Sequence, residues 1–552
     1  PCVIMAKKKS GGKSGGKSSG VKSGGMSGGA SSRGSSDHMI SMDKEKEVRQ
    51  GNISAAKAIA DAVRTSLGPR GMDKMIQSPD GEVTVSNDGA TILSKLEVFH
   101  PAAKLLVDLS KSQDVEAGDG TTSVVVICGA LLGAAQSLLD KGIHPSIISN
   151  AFRQAESMAQ QVLKDMSVTL DLLDREQLLR AATTSLNSKV VNQYSNVLAP
   201  IAVDAVMRVL ERDEATNVDL RSIRRVKRTG GTIDDTELID GLVFANKASH
   251  VSGAPTSVAD AKIALIQFCL SPPKTNLEHN VVISDYTQMD RVLKEERKYI
   301  LKLCQAIKKT GANVLLVQKS ILRDAVTAMS LHFLAKMNIM VVTDIERSDI
   351  DLVCRSVGCQ PMASVEGLSA DKLGTAKLVA EEDTPDGKLV RITGVPNPGR
   401  TVSVLVRGSN SLVLEEADRS LHDALCVVRS LVKKRFMTPG GGAPETEISV
   451  RLAEAARKET GLLSFCLRAY GEALEIIPYT LAENSGLNAI DIVSALKARH
   501  VAGDKNAGIN VRKGTVSDIL AENIVQPLLV NSSALSLATE TVVLLLKVDD
   551  FV

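Results

Sequence analysis

The sequence predicts a multi-domain chain of mixed α and α/β architecture, and three observations carry that reading. Its 552 residues are more than one ordinary core accommodates. Helical spacing of apolar residues dominates both the N-terminal and the C-terminal thirds. Between about 241 and 400 the pattern alternates strand and helix, as in a folded α/β unit.

Hydrophobic residues make up 43% and charged residues 24%, ordinary globular usage. Aromatics are only 2%, with no Trp, which argues against stacking on bases or sugars. The net charge of +2 hides an asymmetry: residues 1–36 hold lysines and one Arg but no acid. The folded body is therefore near neutral, and no specific nucleic-acid partner is expected. No uninterrupted apolar run reaches the roughly 18 residues of a membrane span, so no membrane partner is expected either. Eight cysteines are scattered without paired metal-ligand spacing and read as reduced, mostly buried thiols of a cytoplasmic protein.

Taken in order, the Lys/Gly/Ser composition of residues 1–45 predicts a disordered tail. Gly11-Gly12-Lys13-Ser14-Gly15-Gly16-Lys17-Ser18 satisfies a Walker A pattern there, but no strand precedes it and no apolar helix follows. A solvated basic tail, or weak contact with acidic surfaces or RNA, is the expectation. Ile53, Ala56, Ile59, Val63 and Leu67 predict a helix, with Asn52 as N-cap and Gly68-Pro69 as its stop. Val83-Thr84-Val85, Asn87-Asp88-Gly89 and Ala90-Thr91-Ile92-Leu93 read as two short strands around a turn. Helices are expected over 101–118, from Gly118-Asp119-Gly120-Thr121-Thr122 to about 139, and over most of 146–215. Strands and turns should fill 223–243. In the α/β region strands are expected at 263–269, 314–317 and 339–342, with helices near 322–337 and after Ser348. Gly394, Pro396, Pro398 and Gly399 suggest a hinge before a strand at 402–406, and helices should dominate 412–431 and the stretch to about 498.

Gly118 to Thr122 carries the most chemistry. Glycine lets a backbone approach phosphate oxygens, a helix N-terminus presents free N–H groups, and threonines add hydroxyls. Asp119 repels a bare phosphate, so a cation between them is the sensible arrangement, and Mg2+ suits an oxygen-only site. A simple Asp-Gly turn satisfies the same five residues. Asp423, beside Arg419, reads on its own as a surface ion-pair residue. His422 and Asp423 point about 100° apart on a helix and do not form a catalytic pair.

Three linked motifs go further. Thr65-Ser66-Leu67-Gly68-Pro69-Arg70-Gly71-Met72-Asp73-Lys74-Met75, Val83-Thr84-Val85-Ser86-Asn87-Asp88-Gly89-Ala90-Thr91-Ile92 and Gly118-Asp119-Gly120-Thr121-Thr122-Ser123 resemble, in order, the nucleotide-site signatures of the group II chaperonin (TCP-1) family. Arg419-Ser420-Leu421-His422-Asp423-Ala424-Leu425 and Pro439-Gly440-Gly441-Gly442-Ala443 are similar to its later motifs, so the resemblance covers nearly everything from about residue 45. Arg228-Thr229-Gly230-Gly231-Thr232-Ile233-Asp234-Asp235, residues 427–434 with 440–445, and Val525-Gln526-Pro527-Leu528-Leu529-Val530 resemble the delta-type branch more than its paralogues.

The resemblance implies a chaperonin fold with a mainly helical equatorial ATPase domain (46–170 and 437–552). A small α/β intermediate domain (171–240 and 401–436) and an α/β apical substrate-binding domain (241–400) complete it, with a helical lid protrusion at about 270–300. Residues 272–298 read, without it, as a surface loop and helix. It implies ATP and Mg2+ as ligands. Leu67, Gly68, Pro69, Gly120, Thr121, Thr122 and Ser123 would contact phosphates, with Asp119 on the metal and Lys189 as a γ-phosphate sensor. Gly441 and Gly442 would approach the ribose, Asn510 and Val511 would lie near adenine, and Gln526 stands where many relatives carry a carboxylate for the ribose hydroxyls. Asp423 and Asp88 would be the catalytic carboxylates. Paralogous subunits in a hetero-oligomeric double ring and non-native polypeptide clients are the implied partners, a homo-oligomeric ring and a non-hydrolysing adaptor being the rival readings.

Overall fold

The computed structural model describes residues 33–78, 81–172, 174–210, 216–249, 253–272, 285–321, 323–396 and 401–550. The Walker-like Gly11 to Ser18 and residues 273–284 of the expected protrusion lie outside them.

One large core is assembled from both ends of the chain. Residues Ile53, Leu106, Val125, Leu131 and Phe152 pack with Ile448, Tyr470, Leu535 and Val542. At its centre run the helices Thr121–Asp140 and Leu528–Leu546, of 20 and 19 residues, each long and apolar enough to cross a membrane. Neither is an uninterrupted apolar run, since Thr, Ser and Gln break the first and Asn, Ser, Thr and Glu the second, but their mean hydropathy over that length is high. Their apolar surface is directed into this core, where they touch each other and the helices around them. Phe152 meets Tyr470 edge-on with ring centroids 5.3 Å apart, and the Tyr470 hydroxyl pairs with Thr539 Oγ1 at 2.8 Å.

A second core takes residues 170–233 together with 402–437. Here Val402–Gly408 lies parallel to Ile223–Thr229 and antiparallel to Glu237–Ile239, and the helices Arg175–Leu186, Ser195–Val209 and Ser411–Lys433 cover the sheet. The third region is built on six strands in the order Gly241–Phe244, Gly387–Thr393, Gly374–Thr384, Ser257–Ile266, Val314–Gln318, Met340–Ile345. Both of its faces are covered, and the strand period of two shows it: Ile263, Leu265, Val314 and Leu316 enter one core, while Ala264, Ile266, Leu315 and Val317 enter the other.

Several expectations change. The first helix runs Arg33–Arg64, so Asn52 is a buried interior residue rather than a cap, and the tail expected to end at 45 gives way to helix at Arg33. Residues 39–49 are rich in Met, Lys, Glu and Arg, strong helix formers that a count of tail composition passes over. Val83–Ser86 does pair antiparallel, but with Lys74–Gln77. Ala90 to Leu93 is not a strand: Gly89–Lys95 is a helix capped by Asp88, whose Oδ2 accepts from Thr91 N at 2.9 Å. Asn-Asp-Gly suits a hairpin tip and a helix start equally, and the buried Ile92 and Leu93 decide for the helix. The hairpin Gly374–Thr384 with Gly387–Thr393 was not foreseen. After the undescribed part of the insertion, Asp285 caps a helix Tyr286–Lys309 whose first half exposes Tyr286, Met289 and Val292. Among the described residues, all seven cysteines are free, and Cys128, Cys304, Cys359, Cys426 and Cys466 are buried.

Candidate active site

The loop after Pro101–Glu116 ends at Gly120, whose φ of 74° makes it the left-handed N-cap of Thr121–Asp140. The first-turn amides of Thr121, Thr122 and Ser123 are thus free of intrahelical partners. A β-carbon on Gly120 would meet Val530 Cγ1 at 2.9 Å, so only glycine keeps this loop against the helix Leu528–Leu546. Gln113 holds the loop from below, its Nε2 donating to Asp119 O at 3.0 Å and to Val530 O at 3.3 Å.

Asp119 projects from this loop, its Oδ2 accepting from Ser185 Oγ at 2.9 Å. Asp88 arrives from the neighbouring helix start. Its Oδ1 accepts from Thr121 Oγ1 at 2.8 Å and its Oδ2 from Thr91 Oγ1 at 2.8 Å. Asp423 comes from the middle of Ser411–Lys433, buried at 6% exposure, which overturns its reading as a surface ion-pair residue. Arg419 instead pairs with Glu416 at 2.5 Å and with Glu415 at 3.2 Å, one turn earlier.

Lys189 joins these carboxylates. Its Nζ lies 2.6 Å from Asp423 Oδ2 and 3.8 Å from Asp88 Oδ1, with side chains 9% exposed on Lys189 and Asp423. Burial would lower the Lys189 pKa, but the charges of Asp423, Asp88 and Asp119 outweigh it and hold the ammonium protonated. One ammonium cannot neutralise all three, so burial dominates at Asp423 and raises its carboxyl well above the usual range, with Asp88 and Asp119 adding to the effect. At Asp88 burial is overcome by Lys189 and by the hydroxyl and amide donors of Thr121 and Thr91, and its carboxyl is lowered. Two acids in one site are thus pushed apart, one towards accepting a proton and one towards staying ionised.

His422, on the same helix as Asp423, has its side-chain contact with Cys426. Its Nε2 lies 3.7 Å from Cys426 Sγ, and burial pushes its pKa down to about 4.

A second group lines the start of Ala443–Lys458. Gly442 is its left-handed N-cap, and Ile509 N donates to Gly441 O at 3.0 Å, fastening the hairpin Ala507–Asn510 with Thr515–Asp518 beside it. Asn510 Oδ1 accepts from the amides of Arg512 and Lys513, so this side chain shapes the turn that presents Val511. Gln526 Cγ is 3.8 Å from a β-carbon built on Gly440. Gln526 and Val530, four residues apart, thereby connect the glycine triplet to the Gly120 loop. Gly68 lies on Leu481 and Gly442 on Pro478, which sets both along the helix Ile476–Asn484; Leu67 O accepts from Asn484 Nδ2 at 2.8 Å, and Pro69 is exposed beside them.

These contacts bring Asp88, Asp119, Gly120, Thr121, Lys189 and Asp423 into one cluster, and Gly441, Gly442, Asn510 and Gln526 into a neighbouring one. Sequence reasoning missed the residues behind them, Gln113, Ser185 and Glu416, whose polar side chains carry no motif of their own. Among the described residues no three His, Cys, Asp or Glu side chains converge as a ready-made metal site. The donor set suits Mg2+ all the same, because that ion takes one or two carboxylates and draws its other oxygens from phosphate and water.

A sequence profile of the TCP-1/cpn60 chaperonin family matches residues 59–552. This chain is a chaperonin. Its relatives include the T-complex protein 1 subunit delta of Dictyostelium discoideum, 62% identical over 92% of this chain and 95% of the relative. The subunit delta proteins of Homo sapiens, 60% identical over 92% and 94%, and of Arabidopsis thaliana, 58% identical over 94% and 97%, are similar over the same extent. The expected likeness to delta-type chaperonins and the mixed α and α/β chaperonin fold are both shown. This chaperonin chain belongs to a family whose members are ATPases.

Proposed function

We propose that this chain is an ATP-hydrolysing subunit of a cytoplasmic hetero-oligomeric double ring, and that hydrolysis drives closure of a built-in lid around non-native polypeptide. The observation that supports it most is the meeting of Asp423 with Lys189 and Asp88 over the N-terminus of Thr121–Asp140.

Each residue has a chemical task in this reading. The amides of Thr121, Thr122 and Ser123, with the hydroxyls of Thr122 and Ser123, bind phosphate oxygens at the positive end of the helix. Leu67, Gly68 and Pro69 bound the phosphates from the side of Ile476–Asn484. Gly441 and Gly442 admit the ribose, Gln526 hydrogen-bonds its hydroxyls through an amide, and Val511 borders the base. Asp119 would hold Mg2+, which when bound would supply positive charge beside the phosphoryl oxygens. Asp423, with its carboxyl raised, orients the attacking water and takes its proton; Asp88, kept ionised, orients the reacting groups from the other side. Lys189 holds the carboxylates in register.

Asp423 and Asp119 stand on different cores, 170–233 with 402–437 and the two-ended one. A complete site therefore requires the two to be docked, which gives hydrolysis a mechanical link to the position of the six-stranded region.

Asp423→Ala is expected to leave MgADP binding to the full chain within about threefold while hydrolysis assigned to this subunit falls at least about a hundredfold. Asp119→Ala is expected to weaken MgADP binding itself. Isothermal titration and single-turnover hydrolysis in a ring whose other subunits are inactivated would measure both; equal loss of binding in the two variants would sink this division of labour.

A further inference from the structure

Behind the glycine triplet lies a buried polar knot that touches none of the residues assigned to nucleotide. His500, in the last turn of Ala489–Val501, has a side chain at 0% exposure. Its Nδ1 is 2.8 Å from Glu447 Oε2 and its Nε2 is 2.9 Å from Ala507 O. Ala507 O can only accept, so Nε2 carries the hydrogen of that bond. Glu447, at 2% exposure, also accepts from Arg451 Nε at 2.9 Å. Burial would raise the Glu447 carboxyl, but the His500 and Arg451 donors outweigh it and keep it ionised.

The knot closes a circuit of the backbone. Glu447 stands on Ala443–Lys458, the helix that begins at Gly442. Ala507 opens the strand Ala507–Asn510, which leads to Val511 and returns to the triplet through the bond from Ile509 N to Gly441 O at 3.0 Å. His500 is the one side chain in this circuit that bonds to both the helix and the strand, so it sets the separation between the glycines and the turn carrying Asn510 and Val511.

We propose that His500 is a positioning residue for the base and ribose side of the nucleotide pocket, acting through Ala507 rather than by contact with the ligand. This rests on the reading of Gly441, Gly442, Asn510 and Val511 as nucleotide-facing. The tether to the strand is what matters functionally, and the Glu447 bond orients the ring that makes it.

Two near-isosteres separate the bonds. His500→Gln reaches as far as Nε2 and keeps the donor to Ala507 O; His500→Asn reaches only as far as Nδ1, keeping the donor to Glu447 and losing the strand. With MgADP as probe on the full chain, His500→Asn is expected to raise the Kd about tenfold, the factor of one lost buried hydrogen bond, and His500→Gln to stay within about threefold. Thermal melting, run in parallel, is expected to show both variants folded. Glu447→Gln, which leaves the Ala507 bond in place, is expected to bind as wild type. Equal loss of affinity in the Asn and Gln variants, or no loss in either, overturns the proposal. So does a tenfold loss in Glu447→Gln, which also decides the matter if neither His500 variant folds. A wild-type chain that binds no MgADP overturns the nucleotide reading beneath it, a result distinct from any of these.

Discussion

Asp423 and Glu445 are both carboxylates that burial pushes upward, yet only the first has a cation beside it. Glu445 lies in the first turn after Gly442, and burial raises its carboxyl from the ordinary 4.5 to about 7. Its folded pKa exceeds its unfolded one, so between about 4.5 and about 7 the folded chain binds more protons than the unfolded chain. This contribution to stability is complete below about 4.5 and is lost as pH rises through about 7. Glu445→Gln should flatten the fall in thermal midpoint across that window and raise the midpoint above it, as scanning fluorimetry at a series of pH values would record. A slope unchanged by the substitution would show that the carboxyl titrates normally.

At this scale legibility depended on how local the chemistry is. Gly118 to Thr122 was readable because a turn and the helix it opens lie within a few residues. Asp88 reads from the sequence as lying at the tip of a strand turn or just after it, since Asn-Asp-Gly serves a turn and an N-cap alike. Asp423 read alone as a surface residue because its partner, Lys189, is more than two hundred positions away in the chain.

Among the elements, Ser411–Lys433 does most to join the molecule. Its middle holds Asp423 against the Lys189 loop. Its second half caps Pro101–Glu116 from outside: Arg429 donates to the carbonyls of Val115 and Glu116, and Ser430 Oγ donates to Ala117 O at 3.1 Å. These carbonyls belong to the helix end that the chain itself leaves unsatisfied, immediately before the Asp119 loop. Removing the buried Ser430 hydroxyl should cost about 1 kcal/mol, felt as local opening. Ser430→Ala is therefore expected to speed amide exchange at residues 117–120 several-fold, with little change across 241–396. Unchanged exchange at those amides would mean that the cap is dispensable.

The periodicities of this helix and of Thr121–Asp140 were plain in the sequence. Which helix caps which was not, because a capping donor in trans leaves no spacing to read. The short strands Val168–Thr169, Phe436–Pro439 and Val525–Pro527, which form one sheet, were invisible for the same reason. Two to four residues carry too little period to read, and only their pairing makes them strands.

Over the whole molecule, the three regions differ in how their chain is supplied. The six-stranded region takes its sheet and both apolar faces from one continuous stretch. The two-ended core draws on residues 53–166 and 448–546 together. Residues 241–396 expressed alone should therefore fold, with a sharp thermal transition. Residues 46–170 alone should not, since their apolar faces lose the partners Tyr470, Leu535 and Val542. Near-ultraviolet or NMR signatures of fixed packing would distinguish the two. A cooperative transition in the second fragment would show that the C-terminal segment is not needed for that core.

From the residues alone one could read the periods of the long helices, the alternation of the α/β region, the phosphate-suited loop at Gly118 to Thr122 and the family likeness that linked it to Asp88 and Asp423. All of these are properties of neighbours in sequence, or of motifs met in order. The docking of Asp423 on Lys189, the support of Asp119 by Gln113 and Ser185, the burial of two membrane-length helices at the centre of a core and the His500 knot depend on segments far apart in the chain. Their energies come from burial and from donors meeting acceptors across the fold, and those meetings exist only once the packing of helices and sheets has chosen which distant residues share a space.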